Sequence, residues 1–313
     1  MHPRPSRGTT DRIGSTTHHG IDPGMSSVVE TSSGASVVLW TLHYCTGPWI
    51  WRIVGTMSRI FITGSTDGLG LLAARVLSSE GHEVVLHARN PERAEQVRGR
   101  LPAASEILVG DLSSIAQTRR LAERANAAEP FDAVIHNAGV YGGGRLETED
   151  GLPRIFAVNV VAPYLLTALL QRPERLVYLS SAMHRGAEAD LQDPLWTRRR
   201  WDSTAAYSES KMHDLMLATA VARRWPGTLS NAVDPGWVPT KMGGPSAPDD
   251  LDEGCRTQAW LAASTDEAAR VTGQYFHHGS PQQADPAAGD PDQQDRLLEL
   301  CRSLTGVPLG DQR

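Results

Sequence analysis

Tyr207 and Lys211 stand four residues apart in the stretch TAAYSESKMHDL, residues 204–215. On a helix, positions i and i+4 share one face. Such a pair can be inert, an aromatic ring with a lysine stem packed against it. It can also be chemical, because an ammonium beside a phenol favours the phenolate and draws a pKa of about 10 towards neutrality. A shift of about two to three units is about 3–4 kcal/mol of differential stabilisation. That suits a general acid/base that exchanges a proton with a carbonyl or alcohol oxygen near pH 7. Of the 30 Lys and Arg residues only Lys211 and Lys241 are lysine, a bias expected of a GC-rich bacterial genome. A lysine at 211 therefore asks for a reason. A compact ammonium can serve the phenol and a second acceptor together, which a broad planar guanidinium could not do in the same space.

A second constellation lies upstream. FITGSTDGLG places Gly64, Gly68 and Gly70 at the turn between an apolar run and an amphipathic segment, as T-G-x-x-x-G-x-G from Thr63. Glycine tolerates positive φ and lets backbone N–H groups approach a pyrophosphate at a helix N-terminus. A strand before the loop and a helix after it make this a dinucleotide site rather than a bare tight turn. The next strand ends in HARNPER, with Arg89 where an NAD enzyme would carry an acid for the ribose hydroxyls. A guanidinium suits a 2′-phosphate, so NADP(H) is favoured over NAD(H). Asp67 in the loop cuts against it, since a carboxylate near a phosphate must point away or be solvated.

The elements that must hold these residues alternate regularly from Met57 onward. RIFITG, EVVLHA, EILVG, FDAVIHNAG, RLVYLS, TLSNAV and VTGQYF read as strands; 68–80, 91–101, 113–127, 152–170 and 204–224 read as helices. The strand runs are too continuously apolar for one-sided burial. The fold class is α/β: a doubly wound Rossmann domain with a mostly parallel sheet of about seven strands and helices on both faces. The segment after Gly279, SPQQADPAAGDPDQQ, reads as an exposed linker, and DRLLELCRSLTG as a terminal helix. The expected organisation is thus an N-terminal extension over 1–56, disordered or mis-started ahead of a natural Met57, then the domain over 57–279, then linker and helix over 280–313. The apolar stretch at 36–55 is too interrupted to span a bilayer and has no signal-peptide form.

Bulk properties exclude several functions. A net charge of −6 argues against a general nucleic-acid surface. The basic run Arg198-Arg199-Arg200 reads as a solvated loop. Three scattered cysteines, Cys45, Cys255 and Cys301, form neither a disulfide framework nor a metal pair, so the setting is reducing and cytoplasmic. The pairs His18-His19 and His277-His278 lack partners at ligand spacing, so no metal is expected.

The glycine spacing resembles that of the short-chain dehydrogenase/reductase family, and further landmarks follow in the family's order. GDLSS supplies Asp111 and Leu112, at a position that in the family meets the adenine. HNAG supplies Asn137, Ala138 and Gly139, with His136 where the family more often has Asn. RLVYLSSAMH ends in Ser180-Ser181, and FAVNVV holds Asn159. The resemblance implies a tetrad: Tyr207 as acid/base, Lys211 tuning it and binding the ribose, Ser181 holding the substrate oxygen, Asn159 organising a water that links Lys211 to solvent. DPGWVPTKM matches the family's segment beside the nicotinamide, through Pro235, Gly236, Val238 and Thr240. With Ser65, Thr66, Asp67 and Leu69 of the glycine loop these complete the implied cofactor site. The spacing between Ser181 and Tyr207 and the TGQYF and LLELCRSLTGV segments look like the retinol-dehydrogenase and WW-domain-oxidoreductase branch, whose members act on lipophilic aldehydes, ketones and alcohols. The resemblance therefore implies hydride transfer on a small carbonyl or alcohol, and pairing into homodimers or homotetramers through the helices bearing Asn159 and Tyr207. Two rivals are a non-catalytic cofactor-binding sensor on the same fold, which would usually lack the tyrosine or lysine, and a nucleotide-sugar epimerase, which would have a different glycine spacing and a larger substrate region.

Overall fold

The computed structural model describes residues 57–187 and 191–310, together with the backbone of two short strands, β1 (Ser27–Glu30) and β2 (Ser36–Leu39), which pair antiparallel. The chain divides into two compact units at Thr56/Met57. The readings made for His18, His19 and Cys45 lie outside the described residues.

In the second unit, strands and helices alternate as β3 (Arg59–Ile62), α1 (Gly68–Ser79), β4 (Glu83–Ala88), α2 (Pro91–Arg98), β5 (Glu106–Val109), α3 (Ile115–Asn126) and β6 (Ala133–His136). A long helix follows in three parts: α4 (Arg154–Phe156), a π-helical turn over Ala157–Val161, and α5 (Ala162–Leu169). Then come β7 (Arg175–Leu179), α6 (Ser203–Arg224), β8 (Leu229–Asp234), α7 (Leu251–Ala263), β9 (Tyr275–His277), β10 (Ser280–Gln282) and α8 (Pro291–Thr305). The sheet runs β10-β9-β8-β7-β6-β3-β4-β5, parallel except for the β9/β10 hairpin at its edge. It has eight strands rather than about seven, because β10 adds an antiparallel edge. The last parallel strand is shorter than VTGQYF suggested, and α7 lies in a region that carried no helix prediction.

Alternate strand residues feed two cores, as a doubly covered sheet requires. Phe61, Val85, Leu108 and Val134 point to the layer of α3, α5, α6 and α8. Ile60, Ile62, Val84, Leu86 and Ile135 point to the layer of α1 and α7. Side-chain caps start six of the helices: Asp67 for α1, Asn90 for α2, Ser114 for α3, Asp202 for α6, Asp250 for α7 and Asp290 for α8. The chain reverses direction across the sheet between β3 and β6, so the loops after these two strands open side by side, where such folds bind ligands.

The terminal segment is integral to the packing. Leu297, Leu298 and Cys301 of α8 are buried, Tyr164 donates to Val307 O at 2.7 Å, and Trp225 Nε1 donates to Gly310 O at 2.7 Å. α8 thus lies on α5 and α6, the pair through which the family resemblance implied association. The basic run is not simply solvated either. Arg199 holds Glu209 through two contacts of 2.8 and 2.9 Å and stacks 3.8 Å over the Trp196 ring. It anchors the loop to α6.

Candidate active site

The glycine loop is shaped by contacts only glycine permits. Gly64 has φ +64°, and a Cβ there would stand 2.8 Å from Ala138 Cα. A Cβ on Gly70 would stand 2.7 Å from Gly64 O, so α1 begins pressed against the loop that precedes it. Asn137 braces the same loop by donating to Thr63 O at 3.0 Å and Gly64 O at 3.2 Å, and Ala138 N donates to Thr63 Oγ1 at 3.0 Å. The residues read as a nucleotide motif after β6 therefore build the turn after β3. Ser65 is buried and internal, its Oγ donating to Ile62 O at 2.8 Å.

His87 completes this brace and carries no motif signal. The Gly64 N–H donates to His87 Nδ1 at 2.9 Å, which leaves the proton on Nε2, 2.8 Å from Gly110 O. One neutral imidazole ties the loop after β3 to β4 and to the end of β5. Burial lowers its pKa and holds it in that form. His136, also buried, is pushed down to about 3 by desolvation and meets Thr167 Oγ1 at 3.1 Å.

The charge pattern around Asp67 resolves the difficulty that its carboxylate posed. Asp67 caps α1 through Gly68 N at 2.9 Å and pairs with Lys241, with Arg93 at 3.6 Å and with Arg100 at 3.5 Å. The Lys241 hydrogen bond is the largest influence in lowering its pKa to about 2. Arg89 is exposed and has no ion pair or hydrogen bond among the described residues. Three cations face one carboxylate, so the corner at Asp67 is net positive. None of Arg93, Arg100 and Lys241 takes a place in the site from the sequence alone, since none is near Asp67 along the chain: the first two reach it from α2 and the turn after it, the third from the segment after β8. Asp111 turns inward to Ser113, accepting from its N at 2.9 Å and its Oγ at 2.7 Å, while Leu112 is buried in the core.

At the opposite end of the cleft, the two serines after β7 part company. Ser180 is buried and donates to Lys211 O at 2.8 Å, whereas Ser181 faces a cavity of ≈ 660 Å³ that Tyr207 also lines. Lys211 lies beneath, its Nζ 5.5 Å from the Tyr207 ring centroid, donating to Leu179 O at 2.7 Å and to Asp214 Oδ2 at 2.8 Å. The Tyr207 pKa is raised: burial outweighs the opposing charge of Lys211. That reverses the direction expected from the lysine alone, and Asp214 is among the causes. Asn159 sits in the π turn with its amide fully engaged, to Val140 N at 2.9 Å, Val140 O at 3.1 Å and Ser210 Oγ at 2.9 Å. Its side chain fixes the loop after β6 to α6. Gly139 lies between them, its Cβ direction 3.6 Å from Lys211 Nζ and 3.7 Å from Asn159 Oδ1.

The segment after β8 closes the cleft. Gly236 has φ +81°, Trp237 N donates to Asp249 Oδ2 at 2.6 Å, and Val238 is buried. Thr240 approaches the glycine loop, its Cγ2 3.6 Å from a Cβ placed on Gly68. Pro235 and Leu69 line the cavity. The rim is apolar: Tyr141, Met183, Trp237 and Met242, at 43%, 36%, 60% and 44% exposure, are four of the six large exposed hydrophobics among the described residues, and all four line this cavity. Tyr141 meets Tyr207 edge-on at 4.8 Å, and the Tyr207 hydroxyl lies 4.0 Å from Met242 Sδ.

A glycine cradle that tolerates no side chain, a helix N-terminus behind it and an acid/base pair across the cleft fit a dinucleotide facing a small molecule. Residues 58–178 match the short chain dehydrogenase family. An oxidoreductase of Emericella nidulans is 46% identical over 257 residues, covering 80% of this chain and 98% of that one. The chain belongs to the short-chain dehydrogenase/reductase family. The family match ends before Ser181, Tyr207 and Lys211, which fold onto it from downstream. Human retinol dehydrogenase 13 is 32% identical over 234 residues, covering 69% of this chain and 70% of that one, which sets the chain near the retinol dehydrogenase branch. A solved short chain dehydrogenase of Escherichia coli CFT073, complexed with NADPH, superposes with a TM-score of 0.54 at 25% identity, over 71% of this chain and 96% of that one.

Proposed function

We propose that this short-chain dehydrogenase interconverts a carbonyl and an alcohol on a small lipophilic molecule, with NADP(H) as its cofactor. When bound, the nicotinamide supplies or accepts the hydride. The chain's own groups do the rest. Ser181 holds the substrate oxygen, and Tyr207 donates a proton to it in reduction or takes one in oxidation. Lys211 tunes Tyr207 and presents its remaining N–H towards the ribose site, its other two being spent on Leu179 O and Asp214. Asn159 anchors the segment that roofs Lys211; its role in a proton relay rests on the family resemblance.

The observation that carries this reading is the shared cavity: Ser181 and Tyr207 face one space with an apolar, aromatic rim. An exposed cluster of that kind marks a binding mouth for an apolar ligand. NADP(H) is supported by the unpaired Arg89 and the positive corner around Asp67, and by the NADPH complex of the Escherichia coli relative. Retention of all four tetrad residues favours an enzyme over a cofactor sensor. The test is Tyr207→Phe, assayed by NADPH absorbance with a panel of lipophilic aldehydes and ketones. Turnover should fall at least about a hundredfold, as loss of a general acid implies, with NADPH binding nearly unchanged. A variant that keeps substantial turnover removes Tyr207 from the reaction.

A further inference from the structure

Asp214 lies one turn beyond Lys211 on α6 and has no place in the tetrad. Its carboxylate accepts from Lys211 Nζ at 2.8 Å, and the side chains of the pair are only 5% and 4% exposed. In so dry a setting charges act strongly on each other and on their neighbours. Tyr207 therefore faces an ion pair rather than a lone ammonium. We propose that Asp214 is a positioning residue that offsets the charge of Lys211, keeps the Tyr207 hydroxyl protonated to higher pH and thereby biases the enzyme towards carbonyl reduction. The inference rests on the acid/base role given to Tyr207 above.

The other groups around Tyr207 leave this effect separable. Tyr141 approaches from the loop after β6, Asp234 from the end of β8, and Lys211 from α6 itself. Tyr178 of β7 faces Asp214 but spends its hydroxyl on Thr167 Oγ1 at 2.7 Å, with His136 of β6 at the same threonine. All remain when Asp214 changes. Burial raises the Asp214 carboxyl above the usual carboxylate range, and the Lys211 ammonium beside it opposes that shift.

Asp214→Asn keeps the shape and an acceptor for Lys211 while deleting the charge. Two readouts are compared with wild type. One is the pH profile of alcohol oxidation and carbonyl reduction; the other is the tyrosinate absorbance of Tyr207, taken as the difference between each protein and its Tyr207→Phe counterpart, without substrate. The expected result is a downward displacement of both midpoints by about one pH unit, from removal of one buried charge within about 10 Å. Oxidation would then start at lower pH and reduction would fail sooner. Melting temperature and NADPH binding confirm the fold, and Asp214→Ser replaces the asparagine variant if that one does not fold. A Tyr207 midpoint that stays in place in a folded variant overturns the proposal. A displaced absorbance midpoint in a protein without turnover would instead overturn the proposed reaction and leave the tuning intact.

Discussion

Replacing Gly70 by alanine sets two forces against each other at one atom. In a helix interior alanine is favoured over glycine by about 1 kcal/mol, and Gly70 lies in the first turn of α1. The added Cβ, however, would come to 2.7 Å from Gly64 O and 3.0 Å from Ser65 Cα, and against Asn137 Nδ2. Two of these are backbone atoms of the glycine loop and cannot rotate away. Overpacking of this kind costs about 1–3 kcal/mol, so the clash offsets or outweighs the propensity and the net loss is about 0–2 kcal/mol. For a domain of this size that is up to about 8 °C in melting temperature. The larger effect is on binding, because relief requires moving Gly64 and its brace away from the place where a pyrophosphate would lie. Gly99→Ala is the control: φ is −71°, and nothing stands within 4 Å of its Cβ. It should leave NADPH affinity unchanged and raise stability by about 0.4–1 kcal/mol. Both variants are measured by urea unfolding and by NADPH fluorescence titration. A Gly70→Ala protein that binds NADPH and unfolds like wild type would refute the close approach of α1 to its own loop.

Arg89→Ala should weaken NADPH binding about 10- to 100-fold, the value of a hydrogen bond to a charged group, and leave NADH binding nearly unchanged; equal losses for both cofactors in fluorescence titration would take the 2′-phosphate away from Arg89. His213 is buried with both ring nitrogens unpartnered, and desolvation lowers its pKa from 6.5 to about 4. The unfolded chain therefore takes up a proton first as pH falls below 6.5, so stability is full above 6.5 and declines towards pH 4. By pH 5 this site alone costs about 2 kcal/mol, and His213→Leu should recover that part in urea unfolding compared at pH 7 and pH 5. An unchanged difference between the two pH values would show that His213 meets a proton acceptor in the fold.

The parts legible in the sequence are those where chemistry or backbone geometry restricts residue type at short range. Continuous apolar strands between amphipathic helices imply a doubly covered sheet, and the spacing of Gly64, Gly68 and Gly70 reports a turn that only glycine can make. Tyr207 and Lys211 are legible because one helical turn joins them. α7 did carry signals, an Asp250 cap with Asp252 and Glu253 in the first turn, but it follows a Gly- and Pro-rich stretch that reads as loop. What was not legible is the set of contacts that decide how the site behaves. His87 is an ordinary strand residue until the fold brings Gly64 N to one nitrogen and Gly110 O to the other. Arg93, Arg100 and Lys241 are surface cations until three segments converge on Asp67. Asp214 shows the limit most sharply. Its i, i+3 spacing from Lys211 is visible in the sequence, yet on an exposed helix such a pair is worth only about 0.3–0.5 kcal/mol. Burial is what converts it into a determinant of Tyr207, and burial is a property of the sheet and helices packed around α6 rather than of α6 itself.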